Sequence, residues 1–291
     1  MPRVKAPGPF KVLAVDLDGT LLDASGTPHE ADRRALKALA ESGKAHVTIA
    51  TGRLFSGTRA AAAAAGILGP VACADGSHIV HAANGSTLVH RGIIGAPATS
   101  LSESLARHDL TTFLFAEDAI VFDSAGDFFV PYVKLWSDDI RRTTRVHEHD
   151  LWRSAQGITA VVAIGSEAQV ARAREDATRA HADLLQIATF PLKRAPVHST
   201  HTWGFIARAS GGTKASALEW LCAHHNVSVE EAVCVGDWLN DISMLKAAGR
   251  SFAMGQAPEE VKLAATDVLS ETSLTGGGIA RVVREVFGVD S

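Results

Sequence analysis

Cysteine is scarce. Cys73, Cys222 and Cys234 are the three in 291 residues, and no CxxC pair exists, so neither a zinc site nor a disulfide framework is expected. Each sits in an apolar setting, where a free cysteine behaves as a small hydrophobe, and a cytoplasmic, reducing location is the expectation. An excess of one charge is also missing. Lys and Arg number 28 against 32 Asp and Glu, a net charge of -4, which excludes a general nucleic-acid binder. No apolar run is long enough to span a bilayer, so no membrane association is expected. The first ten residues carry basic side chains but no apolar h-region with a small-residue cleavage site follows, so no signal peptide is read there. Thirteen histidines are scattered without an HExxH spacing, and pairs such as His78/His81 and His224/His225 read as surface or core residues. No GxGxxG follows the first apolar run, which argues against a dinucleotide-binding dehydrogenase, and no solenoid-length repeat is evident.

What is present is a globular composition, 46% hydrophobic and 21% charged, long enough for one large domain or two ordinary ones. Val12-Leu13-Ala14-Val15 is apolar without alternation, as a strand buried on both faces must be, and it ends in Asp16-Leu17-Asp18-Gly19-Thr20. Thr27-Pro28-His29-Glu30 reads as a capped helix start and Gly43 as its stop. Strands at 47–50 and 71–74, with a helix over the alanine run 60–65 between them, complete a strand-helix-strand-helix-strand pattern. Parallel strands with right-handed crossovers follow from that pattern. Ala83-Asn84-Gly85-Ser86 reads as a hairpin turn. From about 96 to 200, strands and helices mix with no acid or glycine motif at strand ends, so this stretch reads as an inserted α+β domain. The first pattern resumes near Trp203, with Lys214 opening a helix and the apolar run 232–235 ending in Gly236-Asp237. The expected fold is α/β, a doubly wound, mainly parallel sheet with an inserted α+β cap. The expected division is 1–88 and 201–291 for the core and 89–200 for the cap.

In an open α/β sheet, ligands bind at the carboxyl ends of the strands. Asp16, Asp18, Thr51, Lys214, Asp237 and Asp241 would converge there. Carboxylate oxygens suit Mg²⁺, an ammonium and open turn amides suit a phosphate dianion, and a carboxylate can itself become phosphorylated. Taken singly, each acid is an ordinary strand end or helix cap. Several acids at one edge repel one another unless a cation neutralises them. Lysine is disfavoured at a helix N-terminus, so Lys214 points to an anionic partner.

Four stretches resemble the motifs of the haloacid dehalogenase superfamily of phosphatases, in the Cof-type branch with a C2 cap. They are Asp16-Leu17-Asp18-Gly19-Thr20, Thr51 in Ala-Thr-Gly-Arg, Lys214 in Thr-Lys-Ala-Ser-Ala-Leu, and Gly236-Asp237-Trp238-Leu239-Asn240-Asp241. The resemblance covers roughly 10–77 and 203–287. It implies that Asp16 is the nucleophile, and that Asp18 is first general acid and then base. Lys214 would keep Asp16 ionised, and Thr51, Gly52, Arg53, Lys214 and Asn240 would face the phosphate and substrate. Asp16, Asp18 through its carbonyl, and Asp237 would bind Mg²⁺, with Asp241 nearby or through water. Two positions depart from the pattern: Asp75 stands where Asn is frequent, and so does Gln256. Both are expected at the rim of the site. Arg53 divides evenly between a surface ion pair and a substrate contact. Lys193, Arg194 and Trp136 are candidate cap contacts, against the ordinary reading of aromatics as core.

The expected activity is a Mg²⁺-dependent phosphatase, a phosphoric monoester hydrolase acting on a small phosphorylated metabolite such as a sugar phosphate through an aspartyl-phosphate. The alternatives are a phosphomutase or phosphotransferase of the same fold, or a non-enzymatic phosphometabolite-binding protein. A monomer or small homo-oligomer is expected.

Overall fold

The computed structural model describes residues 9–192 and 202–290, so Lys193 and Arg194 lie outside the described residues. In chain order its strands are β1 (Val12–Val15), β2 (His46–Ile49), β3 (Pro70–Cys73), β4 (His78–His81), β5 (Thr87–His90), β6 (Thr111–Ala116) and β7 (Ala119–Phe122). There follow β8 (Ile140–Arg142), β9 (Ala160–Ser166), β10 (Leu185–Pro191), β11 (Thr202–Ala209), β12 (Ala232–Gly236), β13 (Arg250–Ala253) and β14 (Asp267–Val268). They belong to two compact units. The second consists of Arg53–Thr58 and Val89–Gly212, and the first of the remainder.

The first unit is built on the sheet β14-β13-β12-β1-β2. Every pairing in it is parallel. Such a sheet buries both faces and requires apolar strands throughout, and β1 and β12 are buried at every residue. A single parallel bridge, Ala50↔Ala72, leads from β2 toward β3, which opens a three-stranded sheet β3-β4-β5. The helix expected from Thr27 starts later, at Glu30, with His29 at its N-cap and no side-chain cap bond. Asp23 explains the difference: its Oδ1 accepts from the amides of Ser25 and Thr27, so Thr27 belongs to a local turn. Pro28 is extended, bridged to Leu22. The expected stop holds, with Gly43 left-handed at φ 67°.

The second unit is a six-stranded sheet, β10-β11-β9-β6-β7-β8, antiparallel except for β7–β8. Helices Ala96–Arg107 and Glu167–His181 bury Leu101, Leu105, Val170 and Ala173 with Leu114, Val161 and Phe205 of the sheet. Two expected boundaries are corrected. Trp203 does not resume the core, because β11 pairs along its length with β10 and from Thr202 to Ala207 with β9; the first unit resumes at Thr213. Arg53–Thr58 also leaves the first unit. Ser56 donates its amide to Asp118 Oδ1 at 2.8 Å and its hydroxyl to the Asp118 carbonyl at 2.9 Å, and Leu54 donates to the Trp136 carbonyl at 2.8 Å. Among the described residues no helix is long and apolar enough to cross a membrane.

Candidate active site

The parallel order puts the ends of β1, β2 and β12 on one edge. Backbone pairing carries β1 one residue further, Asp16 donating its amide to the Val235 carbonyl at 3.0 Å. Asp16 therefore leaves the sheet on a fixed backbone, beside Asp237 at the end of β12. The third carboxylate comes from Asp241, the last residue of the turn Leu239–Asp241. It points back at the strand: its Oδ2 accepts from the amides of Asp237 at 2.9 Å and Trp238 at 3.0 Å. Gly236 makes room for it, since a Cβ there would lie 2.6 Å from the Asp241 carboxyl carbon.

Lys214, first residue of the helix Lys214–His224, reaches into this group. Thr213 caps the helix reciprocally with Ser216 and so fixes where Lys214 starts. The lysine is 1% exposed, and its Nζ lies 2.6 Å from both Asp16 Oδ1 and Asp241 Oδ1. Burial alone would lower the pKa of this ammonium. The carboxylates of Asp16 and Asp241 overcome that and raise it, so Lys214 stays charged. Burial pushes the Asp16 carboxyl well above the usual carboxylate range, with Lys214 pulling the other way. Asp237 is pushed up to about 6, by burial first and then by Asp241.

A divalent cation fits these residues. Asp16, Asp237 and Asp241 each offer an oxygen within 4.8 Å of the others, and all three are buried. Three carboxylates against one ammonium leave two formal negative charges, the charge that one divalent ion balances. Hard oxygen donors without sulfur or imidazole suit Mg²⁺. Asp241 has the least to offer an ion, because its Oδ2 already accepts two amides and its Oδ1 holds Lys214.

The remaining candidates divide. Thr51 is fully buried beyond β2, donating to the Ala72 carbonyl and accepting from the Asp75 amide, each at 2.9 Å. Asp18 is exposed at the exit from β1 and its carboxylate is not part of the buried group. Asn240 donates to Asp75 Oδ1 at 2.8 Å. Arg53 belongs to the second unit, where its guanidinium donates to the Gly57 carbonyl at 3.2 Å. Trp136 packs edge-on against Tyr132, with centroids 4.9 Å apart, in an aromatic group with Phe115. Of the two departures from the motif pattern, Asp75 lies deeper than the rim and Gln256 is exposed. Asp75 is 5% exposed at φ 52°, next to Ala74 at φ 48°, and two such residues in succession mark a turn held by its surroundings. Gln256 hydrogen-bonds Asp237. Both positions were visible as unusual residues, but their partners lie 165 and 19 residues away, beyond what local pattern reveals.

The chain is 27% identical over 269 residues to pyridoxal phosphate phosphatase YbhA of Escherichia coli (strain K12), a match covering 90% of this chain and 94% of that one. It is 25% identical over 285 residues to 5-amino-6-(5-phospho-D-ribitylamino)uracil phosphatase YitU of Bacillus subtilis (strain 168), covering 96% and 98%. A solved haloacid dehalogenase-like hydrolase from Bacteroides thetaiotaomicron shares the fold at a TM-score of 0.79 and 22% identity, over 96% of this chain and all of that one. The family model for haloacid dehalogenase-like hydrolases matches residues 13–283, a span that includes every carboxylate of the buried group and Lys214, and the chain belongs to that family.

Proposed function

We propose that this protein is a Mg²⁺-dependent phosphatase that hydrolyses a small phosphate monoester through a phosphorylated Asp16. The observation that carries the reading is the fully buried ammonium of Lys214, 2.6 Å from both Asp16 and Asp241, with Asp237 alongside. A structural ion pair needs one carboxylate. Three grouped beside one lysine support a cation and phosphate site.

Asp16 would attack phosphorus through a carboxylate oxygen as the bond to the leaving oxygen breaks. Asp18, exposed at the strand exit, would give that oxygen its proton and then take one from the water that cleaves the acyl phosphate. Lys214 fixes the Asp16 carboxylate and, with Thr51, Gly52 and Asn240, would balance phosphoryl charge. Asp16, Asp237 and the Asp18 carbonyl would hold Mg²⁺, which supplies charge neutralisation for an anion meeting an anion. The second unit, which includes Arg53, would act as the substrate-selecting cap. The two relatives named as phosphatases, matched nearly end to end, support the reaction class. Their phosphorylated substrates belong in the first substrate panel beside sugar phosphates. Three buried cysteines, none in a disulfide, suit a reducing cytoplasm.

The test is turnover of p-nitrophenyl phosphate with Mg²⁺ and with EDTA, beside Asp16→Asn. Turnover that requires Mg²⁺ and is abolished in the variant is expected. Equal turnover in EDTA, or an active Asp16→Asn, would overturn the reading, and transfer to an acceptor without free phosphate would make the protein a phosphotransferase.

A further inference from the structure

We propose that Gln256 is a positioning residue of the cation centre, locking the Asp237 carboxylate to the loop that follows β1. This rests on the proposed Mg²⁺ site.

Gln256 follows β13 and is exposed, yet every polar atom of its amide is engaged. Nε2 donates to the Gly19 carbonyl at 2.6 Å and to Asp237 Oδ2 at 3.2 Å, while Oε1 accepts from the Ser273 amide at 3.1 Å. Three segments distant in sequence therefore meet on one side chain. The pattern admits a single amide orientation, because a flipped amide would set its oxygen against a carbonyl and a carboxylate and its NH₂ against a donor. Asp237 has weaker support on its other oxygen, where the Thr20 hydroxyl stands at 3.4 Å. Gly19 packs so closely on Asp237, at φ 83°, that a Cβ there would run into the carboxylate. The Gln256 amide bridges these two touching groups, so it fixes both the direction of the Asp237 oxygens and the path of the Asp18-Gly19 backbone. Partners that orient metal-binding carboxylates typically govern metal affinity by about 10–100-fold.

The rival role is a purely structural one, stapling the 270–277 loop through Ser273. Thr275 separates the two, since its hydroxyl accepts from the Thr272 amide at 2.9 Å within that loop. The experiment is calorimetric titration of Mg²⁺ into the full chain, with thermal melting of the same samples, for wild type, Gln256→Met, Gln256→Asn and Thr275→Val. Methionine keeps the length and loses the donor, and the exposed position leaves no core cavity. Gln256→Met is expected to raise the Mg²⁺ dissociation constant about 10–100-fold. Its kcat at saturating Mg²⁺ should stay within about twofold of wild type, the split expected when only cation binding is lost. Gln256→Asn, one methylene short of its three partners, should fall between. Thr275→Val should lower the melting temperature and leave Mg²⁺ binding alone. A folded Gln256→Met that binds Mg²⁺ as wild type does overturns this inference alone. A wild type that binds no Mg²⁺ overturns the cation centre, and this inference with it.

Discussion

Lys214→Met removes one charge and almost no volume, and the structure sets what should follow. The side chain is 1% exposed and makes two charge-assisted bonds of 2.6 Å. In the variant, without a bound cation, Asp16, Asp237 and Asp241 face one another with no ammonium between them. Removing one partner of a buried ion pair costs about 3–5 kcal/mol, because the remaining charge keeps its desolvation penalty. At about 2–4 °C per kcal/mol for a domain of this size, the first unit should melt about 6–20 °C lower in EDTA at pH 8. The sign with pH is fixed by the carboxylates. Burial already raises Asp16 well above its usual range and Asp237 to about 6. Losing Lys214 raises them further, so protonation relieves the repulsion as pH falls toward and through about 6. The deficit against wild type should therefore be larger at pH 8 than at pH 5, and saturating Mg²⁺ should recover part of it. Turnover should fall by about 10²–10³, as for loss of a preorganised charge at a reacting oxyanion. Thermal melts at both pH values, with EDTA and with Mg²⁺, give the readout. A melting temperature within about 2 °C of wild type at pH 8 in EDTA, under 1 kcal/mol on that scale, would refute the argument that Lys214 balances buried charge.

Asp32→Ala should destabilise the first unit by about 1–3 kcal/mol in thermal melts. Its buried carboxylate accepts from the amides of Gly277 and Ala280 at 2.9 and 2.8 Å, capping the helix Gly278–Val282 from 245 residues away in sequence. Gly236→Ala should lower stability by about 1–3 kcal/mol through overpacking and weaken catalysis with it, because the new methyl displaces Asp241, the anchor of Lys214; wild-type turnover in that variant would count against the anchoring role. His225 stacks on His46 with centroids 3.7 Å apart and planes 11° from parallel. Burial, then His46 and His224, push its pKa down to about 4. The unfolded chain, with the ordinary value near 6.5, binds the extra proton between those limits, so stability should fall as pH drops from about 6.5 toward 4. His225→Phe should flatten that slope, and melts across the window would show it.

The first-unit sheet was legible because its requirement is local: a strand buried on both faces must be apolar at every position, and Val12–Val15 and Ala232–Gly236 are. The acids at strand ends were legible for the same reason, once parallel order placed those ends together. β11 was misassigned because an apolar strand looks the same whether it pairs parallel in one sheet or antiparallel in another. Only its partners, β9 and β10, distinguish the two. Thr27 failed for a smaller reason of the same kind: a neighbour four residues back, Asp23, competed for its amide.

The site repeats this division between residue type and partner, and there it bears on chemistry. Asp16, Asp237, Asp241 and Lys214 could be chosen by type alone, since buried charges of both signs have few uses apart from one another. What type does not assign is which oxygen each atom holds. Asp241 was grouped with the cation ligands, yet its Oδ2 takes the Asp237 and Trp238 amides and its Oδ1 takes Lys214. It therefore anchors the lysine and the turn beyond β12, and both its oxygens are engaged where Asp16 has only Oδ1 held by Lys214. Asp241→Asn would keep a carbonyl oxygen that can accept either from the amides or from Lys214, but not both. It should reduce turnover more than Mg²⁺ affinity, whereas a direct ligand would lose both together. Mg²⁺ titration and saturating-Mg²⁺ kinetics on that one variant separate the two roles, and equal losses in both would return Asp241 to the ligand set.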